Sequence, residues 1–164
     1  MENMKVKNLL ISKQVEDSIN FQKCIEIAKE KKINLIILEK GNRIKIEDEI
    51  YLDILWPDSK SFIKENAINN NSIVCKFCYK KFAMLFTGDI EEIGERIILD
   101  QNKKHPEILE SDILKIAHHG SKTSSIQDFI EAVNPKAALI GVGKNNTFGH
   151  PSSDVINRLE KLRY

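Results

Sequence analysis

Val6 to Ile11 is a short apolar run suited to a buried strand, and across the next stretch, Ile19 to Ala28, apolar residues fall at 21, 25 and 28 among charges. That spacing predicts a strand followed by an amphipathic helix. Ile33 to Leu38 repeats the buried-strand pattern, Gly41-Asn42 marks a turn, and Arg43 to Ile46 and Ile50 to Trp56 predict two further strands before Pro57. The first third therefore reads as a βαβ unit followed by antiparallel strands. Ser59 to Asn71 is polar and ends in Asn69, Asn70 and Asn71, which predicts a loop. Ser72 to Phe77 and Lys81 to Thr87 are rich in strand-forming residues and flank Cys78-Tyr79-Lys80, so they are expected to pair as a hairpin.

The second half repeats one theme of a strand running into a polar loop and then a helix. One strand ends at Gly88-Asp89 and is followed by Ile90, Ile93, Ile97 and Ile98 at helical spacing. After a polar break from Asn102 to Glu110, the strand Asp112 to Ala117 ends in His118-His119-Gly120-Ser121. Ile126, Phe129, Ile130 and Val133 predict the next helix, with Ser124 or Ser125 as cap candidates. Lys136 to Val142 predicts the last strand, which leads through Gly143 to Gly149 into His150-Pro151. Ser152 or Ser153 can then cap a helix carrying Val155, Ile156, Leu159 and Leu162.

Composition narrows the class. The 164 residues carry 25 Lys plus Arg against 24 Asp plus Glu, a formal charge of +1, so no global field steers the chain to nucleic acid or anionic lipid. A chain of this length buries roughly two-thirds of its unfolded surface, enough for one domain with a real core. Three cysteines without framework spacing, and no secretory signal, point to a reducing, cytoplasmic setting. No apolar run approaches the roughly 20 residues of a membrane helix. Cys75 and Cys78 resemble a CxxC pair, yet their odd separation along a strand sends them to opposite faces.

Three strand ends deliver ligand-type side chains into loops: Asp89, the pair His118-His119, and His150. In α/β architectures such loops at the carboxyl ends of strands carry function. Imidazole and carboxylate are donors that zinc, manganese and iron accept, so a metal site is one candidate. Each residue has an alternative. Asp89 with Glu92 forms a capping-box pattern, the two adjacent histidines can serve as hydrogen-bonding groups, and His150 can orient the turn before Pro151. Gly120 permits close approach to whatever binds, and His105 reads as a surface residue.

The segments NNNSIV (Asn69 to Val74), FAMLFTGDIEE (Phe82 to Glu92), SDILKIAHHGSKTSS (Ser111 to Ser125) and VNPKAALIGVGKNNTFGHPSSDVINRLEK (Val133 to Lys161) occur in one order and spacing. Together they resemble the metallo-β-lactamase-fold domain of ComEC-type DNA-uptake proteins. The resemblance implies an α/β fold, an αββα sandwich whose strand-end loops form a metal-dependent hydrolase site of phosphodiesterase or nuclease type. It implies that Asp89 and His118 hold zinc or manganese, that His119 and His150 act in catalysis, and that Ser121, Lys122 and Asn146 hold substrate, DNA or another phosphodiester. The family's His-x-His-x-Asp-His motif, or its His-x-Asp-x-Asp-His form, does not occur in this sequence. The expected architecture is therefore a single partial sandwich over residues 1–164, lacking the first strands and their ligand loop. Such a domain has an exposed sheet edge or apolar face, to be covered by a second copy or another chain. A non-catalytic, partner-binding half-domain is the alternative function.

Overall fold

The computed structural model describes residues 4–13 and 18–162. Its first unit is the expected βαβ: β1 (Asn8–Ser12), α1 (Ile19–Glu30) and β2 (Asn34–Leu38), with β1 and β2 parallel and in register from Asn8↔Asn34 to Ser12↔Leu38. Ser18 caps α1, its hydroxyl accepting from the Phe21 amide at 3.2 Å.

β3 (Arg43–Glu47), β4 (Ile50–Trp56), β5 (Val74–Tyr79), β6 (Phe82–Phe86), β7 (Ile113–Lys115) and β8 (Ala137–Leu139) form a six-stranded sheet in that order. The β3 to β6 neighbours are antiparallel, while β6, β7 and β8 are mutually parallel. A short helix, α2 (Ala67–Asn70), precedes β5, and the two parallel connections carry α3 (Glu92–Gln101) and α4 (Gln127–Val133); α5 (Ser153–Glu160) closes the described chain. The result is a mixed α/β fold. Among the described residues no helix is long and apolar enough to cross a membrane.

The pleat sorts the sheet into two faces. Leu85 and Leu114 are register partners on one face and are fully buried with Trp56 and Val74 from β4 and β5, Ile98 from α3, Phe129, Ile130 and Val133 from α4, and Val155 from α5. The other face carries the register partners Leu52, Phe77, Met84 and Ile113, flanked by Phe82, Phe86 and Leu139. There Phe82, Phe86 and Leu139 are exposed.

Three local expectations are corrected. The β2 run was expected to be buried, but Leu35, Ile36 and Ile37 are exposed, because β2 pairs with β1 alone in a two-stranded sheet. The hairpin turns at Lys80-Lys81, with Tyr79 opposite Phe82 and Lys80 at φ 54°, so Cys78 lies inside β5. The asparagine run is not an open loop: Asn70 and Asn71 are fully buried. Asn71 donates to the Ile63 and Ala67 carbonyls and accepts from the Ile63 amide, which ties the whole 63–71 segment together.

Candidate functional site

The three parallel strands end side by side, and the loops that leave them meet. After β6, the Gly88 carbonyl accepts from the His118 amide of the loop after β7 at 3.1 Å, and the Gly120 carbonyl accepts from the Ser152 amide beyond the loop after β8 at 2.8 Å. Both glycines have positive φ and no room for a side chain. A Cβ on Gly88 would lie 2.7 Å from Ser72 Cβ, and one on Gly120 would lie 2.8 Å from Pro151 Cβ. The close approach at Gly120 is thus to Pro151 of the same chain.

His118 and His119 both adopt left-handed backbone, at φ 46° and 56°. Such a conformation is costly for a side chain with a Cβ and is held here by the surrounding loops. It turns the two rings to different surroundings. His118 is the more buried; its Nδ1 faces Glu91 Oε1 at 3.5 Å, and its ring meets the His150 ring edge-on with centroids 5.9 Å apart. His119 is half exposed, and its Nδ1 lies 2.6 Å from the Gly141 carbonyl oxygen. A carbonyl can only accept, so Nδ1 carries the proton, and in the neutral ring the lone pair is on Nε2. That Nε2 faces Asp89 Oδ1 at 3.8 Å.

Asp89, His118, His119 and His150 are therefore brought to one end of β6, β7 and β8 as two contacting pairs, Asp89 with His119 and His118 with His150. Asp89 does not cap α3: the helix is preceded by Glu91, which makes no side-chain cap bond. Of the expected substrate-holding residues, Lys122 is exposed. The Ser121 hydroxyl is buried against Thr123 Oγ1 at 3.0 Å. The Asn146 side chain is spent on its own loop: it donates to the Gly143 and His150 carbonyls at 3.1 and 2.8 Å and accepts from the His150 amide at 3.0 Å. His105 is exposed, with its Nδ1 3.1 Å from Glu107.

Sequence reasoning passed over three residues beside these. Glu91 is buried and sits behind His118, its Oε1 accepting from Thr123 Oγ1 at 3.0 Å and its Oε2 from Asn66 Nδ2 at 2.8 Å. Its amide donates to Asn70 Oδ1 at 3.0 Å, and the Asn70 carbonyl accepts from Trp56 Nε1 at 2.7 Å. The signal was present in the unusual Asn-Asn-Asn run, but only the fold shows that it seats a carboxylate. Lys115 ends β7 half-buried, donating to the Ile116 carbonyl at 2.8 Å; burial pushes its ammonium below the usual lysine range, with Asp89 opposing that shift. Phe148 stacks on His150, with centroids 5.9 Å apart and planes at 19°.

Two buried ring nitrogens, His118 Nδ1 and His150 Nδ1, have no hydrogen-bond partner. Burying a polar atom unpaired is costly; His118 Nδ1 has Glu91 Oε1 at 3.5 Å to offset that cost, whereas His150 Nδ1 has no hydrogen-bond partner among the described residues. A catalytic zinc, however, takes about three protein donors, and among the described residues no three His, Cys, Asp or Glu side chains converge closely enough to hold an ion. The described residues supply part of a donor set and do not by themselves fit a complete metal centre. Cys75 does not add to it: it points to the face opposite Cys78, and burial pushes its thiol up to about 11.

No family model matches the chain. Among curated proteins it is 30% identical over 161 residues to ComE operon protein 3 of Bacillus subtilis, covering 98% of this chain and 20% of that protein. It is 33% identical over 112 residues to Competence protein ComA of Neisseria gonorrhoeae, covering 68% of this chain and 15% of the relative. It is 31% identical over 114 residues to Recombination protein 2 of Haemophilus influenzae, covering 70% of this chain and 13% of the relative. The chain spans about a fifth of ComE operon protein 3 and less of the other two. It is, over most of its own length, a homologue of a short stretch of the competence proteins ComE operon protein 3 and ComA.

Proposed function

We propose that the chain is a hydrolase domain of the metallo-β-lactamase superfamily that supplies part of a metal-dependent phosphodiesterase or nuclease site in DNA uptake. The observation that carries this is the meeting of three strand-end loops, which brings the contacting His118 and His150 rings and the Asp89–His119 pair to one end of the sheet. Similarity to proteins named for competence supports the biological setting. In this reading Asp89 and His118 contribute to zinc or manganese, and the remaining donors come from outside the described residues. When bound, such a metal would lower the pKa of its water toward neutrality.

The chain's own residues do the rest. The Gly141 carbonyl fixes the His119 ring through Nδ1, which leaves Nε2, 3.8 Å from Asp89 Oδ1, as the nitrogen that accepts or returns a proton. His150 is held beside His118 by the Asn146-pinned loop, and the Lys115 and Lys122 ammonium groups offset charge on a bound phosphate. Ser121 and Asn146 act through the loops they shape. The exposed apolar sheet face is covered by a second copy or another chain.

A second reading, a non-catalytic half-domain that binds a partner, is favoured by the lack of a three-donor group among the described residues. Hydrolysis of single-stranded DNA and of a small phosphodiester, with manganese or zinc, separates the two. Cleavage that Asp89→Asn abolishes supports the hydrolase. Equal turnover in wild type and Asp89→Asn, or zinc and manganese binding that Asp89→Asn leaves unchanged, overturns it.

A further inference from the structure

Glu91 is buried, and three side chains donate to its carboxylate. Thr123 Oγ1 donates to Oε1 at 3.0 Å, and Asn66 and Asn70 donate through Nδ2 to Oε2 at 2.8 and 3.4 Å. Asn70 grips the same residue a second time, its Oδ1 accepting from the Glu91 amide at 3.0 Å, and its own carbonyl is held by the Trp56 indole at 2.7 Å. The asparagine run therefore fixes a carboxylate, and Oε1 of that carboxylate faces His118 Nδ1 at 3.5 Å. This is an ion-pair contact rather than a short hydrogen bond, and no other group among the described residues hydrogen-bonds that nitrogen. In a neutral imidazole one ring nitrogen carries the proton and the other a lone pair, and the groups facing them decide which. A carboxylate only accepts. With the proton on Nε2, the Nδ1 lone pair would lie against a carboxylate oxygen where water screens poorly, and the contact would repel. With the proton on Nδ1, the same contact attracts.

We infer that Glu91 is a positioning residue for His118: it holds the neutral ring in the tautomer with the proton on Nδ1 and so leaves the lone pair on Nε2. His119 reaches the same state through the Gly141 carbonyl, so the two adjacent histidines keep the same ring nitrogen as acceptor. The inference deepens the reading of His118 as a site residue and rests on that reading for its purpose. It also gives Asn66, Asn70 and Thr123 a common task, which is to hold the carboxylate that sets the ring.

The test is the tautomer of each ring, read from long-range proton–nitrogen correlation spectra of the chain labelled with nitrogen-15 histidine. Spectra are taken without metal or substrate at a pH of about 8.5, where an ordinary imidazole is neutral. Wild-type His118 is expected to show a protonated Nδ1 and a bare Nε2. Glu91→Gln keeps the shape of the side chain, and its amide group donates to His118 Nδ1 while its oxygen keeps Asn66 and Asn70, so the proton is expected to move to Nε2. A role in packing alone predicts no such inversion. Thr123→Val, which removes the other donor from Oε1 and keeps the carboxylate, is expected to leave Nδ1 protonated. His119 is expected to hold its tautomer in all three proteins, which marks a folded site. Wild-type His118 protonated on Nε2, or a His118 tautomer that Glu91→Gln leaves unchanged in a folded chain, overturns the inference; the wild-type spectrum decides alone where Glu91→Gln does not fold. Because neither metal nor phosphodiester takes part, failure of the hydrolase leaves a Nδ1-protonated His118 standing, and a His118 protonated on Nε2 removes this inference without touching the hydrolase assay.

Discussion

Glu91 and Glu95 are four residues apart at the start of α3, so they emerge on one side of the helix, and each carboxylate is spent on a neighbouring loop. Glu91 gathers Asn66, Asn70 and Thr123 behind His118. Glu95, fully buried, accepts the Ser125 and Ile126 amides at 2.6 and 2.8 Å and so does for α4 what a capping side chain would do. Burial pushes Glu95 from its ordinary 4.5 up to about 7, although the two amides and Arg158 pull the other way. Between those values the folded protein keeps a proton that the unfolded chain has lost. The stability tied to this proton is full below about 4.5, declines as pH rises, and is gone above about 7. Denaturant unfolding across this window should therefore show wild type losing stability relative to Glu95→Gln as pH rises, at a slope of at most about 1.4 kcal/mol per pH unit. Parallel pH profiles for the two proteins would contradict that assignment.

At the scale of elements, periodicity was enough to find the eight strands and four of the five α-helices of the described residues, because each is a run with one dominant period. α5 begins as read, with the Ser152 hydroxyl accepting from the Val155 amide. α4 does not: neither Ser124 nor Ser125 caps it, and the Ser125 and Ile126 amides just ahead of it go to Glu95, thirty residues earlier and invisible to a local rule. The Asn run failed for the same reason, as a polar string reads as loop until its partners on α3 are known. β2 failed in the opposite sense. A continuous apolar run fits a strand covered on both faces, and sequence pattern does not say whether the cover is present. The site was legible as strand-end residues in loops, but the pairing of those residues was not, because it depends on left-handed backbone at His118 and His119.

For the whole molecule, what matters is that both sheets leave apolar surface in contact with water. Leu35, Ile36 and Ile37 lie on the two-stranded sheet, and Phe82, Phe86 and Leu139 lie on the uncovered face of the larger one. Exposed apolar patches of this kind mark surfaces that associate. Sedimentation velocity over a range of concentrations should show self-association that Phe82→Lys with Phe86→Lys reduces. A single monomeric species at every concentration would exclude a second copy as the cover.

The central claim is that the three parallel strand ends build one site from Asp89, His118, His119 and His150. The chain has four histidines, so the ring nitrogens can be followed individually by proton–nitrogen correlation spectra as zinc is added. The His118, His119 and His150 rings are expected to shift together along one saturable curve that Asp89→Asn weakens and that exposed His105 does not follow. A response confined to His105, or four unrelated curves unchanged by Asp89→Asn, would contradict the claim.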